Sequence, residues 1–475
     1  MDITVIDTPQ LGDRSYLVHD GTVALVVDAQ RDIDRVEAAA EKAGVRVTHV
    51  AETHIHNDYV TGGYVYAQKH GAAYLVNAAD DVSFERIPIT DGETVRVGGM
   101  TVKAVATPGH THHHLSFVVE HGEEQAVFSG GSVLYGSVGR TDLLGREHTV
   151  GLAQDQYASA RRLAQEAGAE AALYPTHGFG SFCSSGPATG ASGSTMGEQL
   201  ETNHVFTDPD EEHFVTELIA NLTAYPNYYV HMGPANAAGP SAPDLSVPES
   251  LAPEELRARL AAGEWVVDLR HRVAYSAGHL RGTVSFEYGD GSSFTTFLGW
   301  VFPYDRQLTL VGSREDVENA IRDLSRIGID SPDAALGEDP RRLAPGAAVS
   351  SYPRVGWQDV LADRPADEPI LDVRRADEYQ DSHIPGAVNI PLHELLPRLG
   401  ELPPGRLWVH CGSGYRSGVA ASLLERAGRA TVHIDAMFDE AERSGVPLER
   451  GPAVGARSPR PALGHRIEHP TPTAP

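Results

Sequence analysis

A closely spaced set of histidines and carboxylates is the first place where this chain could do chemistry. The run Glu52-Thr53-His54-Ile55-His56-Asn57-Asp58-Tyr59 follows directly on the β-branched stretch Val45–Val50. Alternate residues of an extended chain point the same way, so His54, His56 and Asp58 can converge just beyond a strand end. Imidazole and carboxylate are ligands suited to zinc or ferrous iron. Two more turns carry a histidine in the same place: Thr107-Pro108-Gly109-His110-Thr111 after Val102–Val105, and Tyr174-Pro175-Thr176-His177-Gly178 after Ala171–Leu173. Three histidine-bearing strand ends in one region point to a shared metal site, with His54, His56, Asp58, His110 and His177 as candidate ligands. His112, His113 and His114 extend the second turn and are expected behind the ligands or at the surface. Cys183 lies six residues past His177. It reads either as a buried inert thiol or as a cysteine near the metal pocket that handles sulfane sulfur.

The second cysteine lies in a different setting. Leu407-Trp408-Val409-His410 runs into Cys411-Gly412-Ser413-Gly414-Tyr415-Arg416 and then into a helical pattern. Glycines let such a loop curl so that several backbone N–H groups face inward, and the following helix start adds positive potential. A sulfur held there is a good nucleophile, and a persulfide anion formed on it would be stabilised by the same donors. Arg416 can add a charge.

The elements that must position these residues follow from the surrounding pattern. The first 231 residues read as mixed α/β: Ile3–Ile6, Val23–Val27, Val45–Val50, Tyr74–Val76, Val102–Val105, Ser116–Val119 and Ala126–Phe128 are strand-like, with helical patterns over Asp32–Ala43 and Gly151–Ala167. Residues 232–250, rich in Pro and Gly, read as a linker. An internal repeat follows. Asp268-Leu269-Arg270 precedes His279-Leu280-Arg281-Gly282 in one unit, and Asp372-Val373-Arg374 precedes His383-Ile384-Pro385-Gly386 in the next. These give two small α/β domains, 251–345 and 352–450. The tail 451–475 lacks periodicity and is expected to be disordered.

The chain resembles known families at both centres. The His-x-His-x-Asp block, Thr-Pro-Gly-His-Thr and the late Thr-His-Gly resemble the metallo-β-lactamase superfamily over residues 1–231, within the branch holding persulfide dioxygenases and glyoxalase II. Gly139-Arg140-Thr141-Asp142 looks more like the dioxygenase side. That resemblance implies an αβ/βα sandwich and one metal ion, with Fe(II) favoured and Zn(II) as the alternative. It also puts Arg140 and Tyr59 forward as substrate-binding residues. Two departures stand out. Tyr59 occupies a position where dinuclear hydrolases have His, and Phe128-Ser129-Gly130-Gly131 puts Gly131 where a metal-binding Asp is expected. The region 352–450 resembles a rhodanese, with Cys411 and Arg416 as catalytic residues and Gly412, Ser413, Gly414 and Tyr415 as the loop. Region 251–345 resembles a rhodanese-homology domain without its cysteine, since Leu310-Val311-Gly312-Ser313-Arg314 stands where the cysteine loop belongs.

The fold class expected is therefore α/β, a metallo-β-lactamase sandwich followed by two rhodanese-like domains. The function expected is sulfane-sulfur metabolism, a persulfide dioxygenase-like domain coupled to a sulfurtransferase. A glyoxalase II-like thiolester hydrolase fused to a rhodanese, or a metal-poor persulfide-binding module, stands as the alternative. Small-molecule thiol persulfides, thiosulfate or sulfite would be the partners. Thirty-eight Lys+Arg against 65 Asp+Glu give a net charge of −27, which argues against nucleic acid and anionic membrane surfaces. Two cysteines in 475 residues exclude a disulfide framework and point to a reduced, cytoplasmic setting. Whether the chain forms a homo-oligomer is left open.

Overall fold

The computed structural model describes residues 1–186, 192–289 and 293–451. Apart from Gly451, the tail expected to be disordered lies outside the described residues.

The N-terminal unit is built on two six-stranded sheets. The first runs β1 (Asp2–Thr8), β2 (Asp13–His19), β3 (Val23–Val27), β4 (Arg46–Ala51), β5 (Ala73–Asn77) and β6 (Ile87–Ile89) in spatial order. The second contains β7 (Thr94–Val97), β8 (Met100–Ala106), β9 (Leu115–His121), β10 (Glu124–Gly130), β11 (Ala172–Pro175) and β12 (Ser194–Thr195), again in spatial order. Tyr16, Val18, Leu25 and Val27 of the first sheet pack with Val102, Phe117, Val119 and Phe128 of the second, so the two sheets share one core. Their outer faces are covered by helices. Helices α1 (Asp34–Ala43) and α2 (Gly63–His70) bury Val36, Ala40 and Val65 against the first sheet. Helix α3 (Arg146–Glu166) buries Ala153, Tyr157, Ala160 and Leu163 against the second, as its helical spacing dictates. The layers are therefore α/β/β/α. Each fully buried Val, Leu or Phe contributes about 1.5–3 kcal/mol.

Helices α4 (Met196–Thr202), α5 (His204–Thr207) and α6 (Glu211–Ala220) complete the outer layer. Helix α7 (Tyr229–Ala238) corrects one boundary. It occupies residues 232–238 of the expected linker, and its buried Asn236 donates to the carbonyls of His56 and Tyr59 at 2.9 and 2.8 Å. Pro234 is tolerated inside it. The Pro- and Gly-rich composition thus marks a docked segment as well as a connection.

Both C-terminal units have parallel sheets. One orders Val284–Ser285, Trp265–Asp268, Leu308–Gly312 and Asp333–Leu336. The other orders Arg354–Val355, Thr431–Ile434, Leu407–His410, Ile370–Asp372 and Val388–Asn389. The sequence repeat has a repeated geometry. Asp268 pairs with Arg270 and Asp372 with Arg374, each at 2.6 Å. The His279 ring stacks on Tyr275 at 3.9 Å, and His383 on Tyr379 at 4.0 Å. The units diverge at the strand end that would carry a loop. In the first, Ser313 directly caps the helix Arg314–Arg326, its side chain accepting from the Asp316 N–H at 3.1 Å. No anion-holding loop intervenes.

The units lock together through buried charge. Arg326 meets Asp32 at 2.7 Å, Arg31 meets Asp330 at 2.7 Å, and the Val60 N–H donates to the Arg326 carbonyl at 2.7 Å. Asp330 is half exposed, but Arg326–Asp32 is fully buried, and breaking one partner of that pair costs about 3–5 kcal/mol.

Candidate functional site

Strand ends bring the predicted ligands together. One ring nitrogen each from His54, His110 and His177 lies within 4.8 Å of the others, and His56, Asp58 and His177 form a second, overlapping group. The five residues are thus adjacent but divide into two triads that share His177. All five are essentially excluded from solvent.

The first triad has its tautomers fixed from behind. The Thr53 hydroxyl donates to Asp28 Oδ2 at 2.8 Å, so His54 Nδ1–H must donate to Thr53 Oγ1, at 2.9 Å. His110 Nδ1–H donates to the Arg140 carbonyl at 2.7 Å, and His177 Nδ1–H to Asp13 Oδ1 at 2.9 Å. His54 and His110 consequently offer Nε2 lone pairs, and His177 would offer its own once a bound cation displaces the Nε2 proton that Asp13 and Asp58 otherwise stabilise. His54 Nε2 and His177 Nε2 stand 3.5 Å apart, and His110 Nε2 has no hydrogen-bond partner. Two nitrogens each bound to one tetrahedral ion would be about 3.4 Å apart. Three buried imidazoles converging on one point, with His110 Nε2 unpartnered, suit a cation, and backing carboxylate, carbonyl and hydroxyl groups are what orient ligating imidazoles. The residues present fit a metal ion.

Electrostatics separates the histidines. Burial, reinforced by the neighbouring imidazoles, pushes His54 well below its ordinary value, and burial takes His110 down to about 3. Burial also disfavours charge on His177, but Asp58 and Asp13 outweigh it and raise it to about 10. His56 behaves likewise: against burial, Asp28 and Glu52 lift it to about 9. Its Nε2 lies 3.3 Å from both Asp28 and Glu52 and 3.0 Å from the Tyr59 hydroxyl. The Tyr59 ring stacks on it at 4.3 Å. His56 Nε2 is therefore held in a carboxylate cage, while its Nδ1 has no hydrogen-bond partner.

Several residues that no motif had flagged hold the site. Asp28, at the end of β3 with φ +55°, accepts from the Thr53 N–H at 2.7 Å, from the Thr53 hydroxyl and from the Thr176 hydroxyl. It thereby ties the turns before His54 and His177 together. Left-handed backbone at a non-glycine residue persists only where the surroundings enforce it. Asp13 and Glu52 are equally buried. His114, expected behind the ligands, accepts from the Gly131 N–H at 2.9 Å. His112 and His113 are exposed.

Gly131 is a glycine for a steric reason. A Cβ there would lie 2.6 Å from His110 Cγ. The His110 ring occupies the space that a side chain at 131 would need, so an aspartate ligand has no room.

Arg140 and Tyr59 do not take substrate-facing positions. The Arg140 guanidinium is buried and donates to Asp142 at 2.7 and 2.8 Å, to the Phe182 carbonyl at 2.9 Å and to the Thr223 carbonyl at 2.7 Å. Four of its five N–H donors are engaged in these bonds, and it ties loops together. Tyr59 is fully buried. Cys183 lies beside Asp58 but is also fully buried, and burial, with Asp58 and Asp13 adding to it, pushes its thiol well up. A thiol kept protonated is a poor nucleophile.

The second centre sits at the C-terminal end of the strand Leu407–His410. The Gly414 N–H donates to Cys411 Sγ at 3.2 Å, and Sγ lies 3.5 Å from the Ser417 hydroxyl. Gly414 has φ +92°, and a Cβ there would overlap Asp435 Oδ1; only glycine allows the loop to turn its N–H onto the sulfur. The helix Tyr415–Arg426 starts immediately afterwards, aiming its N-terminus at the loop. Arg416 makes a two-pronged pair with Glu378, at 2.6 and 2.7 Å. Burial would raise Glu378, yet Arg416 holds it down at about 2, so the pair is ionised throughout the working range. A cavity of about 550 Å³ opens over the loop, lined by Ser413, Tyr415 and Arg416 together with Phe297, Trp300 and Phe182.

Fold and site together define a chain with a metallo-β-lactamase domain and a rhodanese-like domain. The family described as "Metallo-beta-lactamase superfamily" matches residues 11–178, and "Rhodanese-like domain" matches 358–436. The solved structure of a metallo-β-lactamase from Staphylococcus aureus subsp. aureus COL is similar over 70% of this chain and 99% of that one, at 26% identity and a TM-score of 0.64. Among curated proteins, the atrochrysone carboxyl ACP thioesterase of Emericella nidulans is 35% identical over 132 residues, 26% of this chain and 41% of that protein. The hydroxyacylglutathione hydrolase of Acidiphilium cryptum is 35% identical over 118 residues, 24% of this chain and 48% of that protein. The chain spans less than half the length of both curated relatives. No helix among the described residues is long and apolar enough to cross a membrane.

Proposed function

We propose that the protein transfers sulfane sulfur through a persulfide on Cys411. The observation that carries this reading is the glycine loop that turns the Gly414 N–H onto Cys411 Sγ at the start of a helix. In the donor half-reaction the Cys411 thiolate attacks the outer sulfur of thiosulfate. An Sγ–S bond forms, the donor S–S bond breaks with its electron pair leaving on sulfite, and a Cys411 persulfide anion remains. The acceptor half-reaction reverses the roles: cyanide or a thiolate takes the outer sulfur and the Cys411 thiolate is regenerated. Gly414 and the helix start stabilise the charge on sulfur, and Arg416, fixed by Glu378, supplies positive potential beside it. The unit 251–345, in which Ser313 replaces the loop, acts as a non-transferring relative of the rhodanese fold. Cys411→Ser should lower thiosulfate:cyanide transfer by about 10³-fold or more; a variant retaining a tenth of the activity would contradict the assignment.

For the N-terminal domain we infer a single metal ion on His54, His110 and His177, with Fe(II) favoured and Zn(II) as the alternative. A bound ion would supply Lewis acidity and an open coordination position. The chain's own contribution is orientation: Thr53, Arg140 and Asp13 hold the three rings, and the enclosing shell excludes bulk water. Coupling to a sulfurtransferase favours oxidation of a low-molecular-weight persulfide. A thiolester hydrolase is the second reading, favoured by the names of the curated relatives. Iron-loaded protein should consume oxygen when given glutathione persulfide and leave a glutathione thiolester intact; thiolester cleavage without oxygen uptake would reverse the two readings.

A further inference from the structure

The cavity over the Cys411 loop is not built by one domain. Ser413, Tyr415, Arg416, Arg375 and Glu378 come from the third unit, Arg272, Glu287, Phe297 and Trp300 from the second, and Phe182 from the N-terminal unit. Its volume of about 550 Å³ falls in the range, about 300–1,000 Å³, of sites for small organic ligands. A small inorganic dianion would occupy only a minor part of it.

Its charge also favours a zwitterion over a dianion. Each lining arginine already has a carboxylate partner: Arg416 with Glu378 at 2.6 Å, Arg272 with Glu287 at 2.7 Å and with Asp435 at 2.8 Å, and Arg375 with Asp377 at 3.0 Å. A ligand carrying both an ammonium and a carboxylate can exchange into such pairs without leaving a buried charge alone, whereas an added dianion cannot. Between the ion pairs runs an aromatic row. Phe182 meets Trp300 at 5.2 Å, Trp300 meets Phe297 at 5.6 Å, and Phe297 meets Tyr415 at 5.6 Å. Phe182, Phe297 and Tyr415 offer partly exposed ring faces to the alkyl and amide body of an organic thiol, and the buried Trp300 backs them.

We propose, resting on the sulfurtransferase reading above, that this cavity receives an organic thiol persulfide bearing both ammonium and carboxylate groups, and that Phe182 and Trp300 set its preference over thiosulfate. The N-terminal unit thereby supplies part of the sulfurtransferase site. Phe182 is positioned for this by Arg140, whose guanidinium takes the Phe182 carbonyl at 2.9 Å while its own carbonyl takes His110 Nδ1–H. In the transfer, a bond forms between Cys411 Sγ and the outer sulfur of the donor, the donor S–S bond breaks, and the departing thiolate takes up the proton of the donor's terminal S–H. The products are the Cys411 persulfide anion and the free thiol.

The test uses the full-length chain with two donors, thiosulfate and glutathione persulfide as the zwitterionic probe, with cyanide as acceptor and the uncatalysed rate subtracted. The ratio of kcat/KM for the organic donor to that for thiosulfate should exceed about tenfold in the unaltered protein and fall about tenfold in Phe182→Ala. Trp300→Phe, which keeps an aromatic wall, should lower it less. Because both donors are read on one preparation, any misfolded fraction cancels in the ratio. A preference for thiosulfate, or a ratio that Phe182→Ala moves by less than about twofold, overturns the proposal while leaving the sulfurtransferase reading intact. Turnover of neither donor would overturn both.

Discussion

At the scale of single residues, the N-terminal site is defined by what stands behind each imidazole. Three different acceptors, a hydroxyl, a carbonyl and a carboxylate, each take the Nδ1 proton of one ring, and all three Nε2 atoms are left facing inward. His56 shows the opposite case. Tyr59, Asp28 and Glu52 surround its Nε2 and draw it into a separate charged cage. Gly131 follows the same steric reasoning, because the ring of one ligand fills the volume in which another ligand would have to sit. The two cysteines divide similarly. Cys183, buried beside Asp58, is kept as a thiol, whereas Cys411 receives a backbone N–H on its sulfur.

At the scale of elements, strand ends and helix starts do the positioning. Beneath the Cys411 loop, His433 Nε2–H donates to the Gly414 carbonyl at 2.8 Å, and burial pushes His433 down to about 4. Its ordinary value is about 6.5, so the unfolded chain binds a proton that the folded chain refuses as pH falls from about 6.5 to about 4. Stability carried by this buried neutral ring is complete above that window and is lost through it, by at most about 3 kcal/mol. Denaturant unfolding of the wild type should weaken across the window more steeply than that of His433→Gln; equal slopes would show that His433 does not carry the effect. The three histidine-bearing turns and the Cys411 loop were legible in the sequence because each joins a β-branched run to a short glycine- or proline-marked turn. Asp28 and Asp13 were not, since their meaning comes from partners such as Thr176 and His177, more than a hundred residues away in the chain. Strand β2 is not legible in the sequence for a related reason: its first residues, Asp13-Arg14-Ser15, are polar, yet Asp13 and Ser15 are buried by tertiary contacts. Arg140 and Tyr59, expected to bind substrate, are drawn into internal pairing in the structure.

At the scale of the whole molecule, the three units form one working surface. The buried pair Arg326–Asp32 and the half-exposed pair Arg31–Asp330 fix the second unit against the first, and Arg272–Asp435 with the Tyr415 hydroxyl on the Glu287 carbonyl fix it against the third. The second unit thus brings Trp300 and Phe297 over a loop that the third unit carries. On the proposed function only Cys411 carries sulfur, because Cys183 is buried and kept as a thiol. The most direct test of this is peptide mass spectrometry of the full-length protein after exposure to thiosulfate. The peptide containing Cys411 should gain the mass of one sulfur atom and lose it on adding cyanide, while the Cys183 peptide stays unchanged. Sulfur found on Cys183, or on neither cysteine, would contradict it.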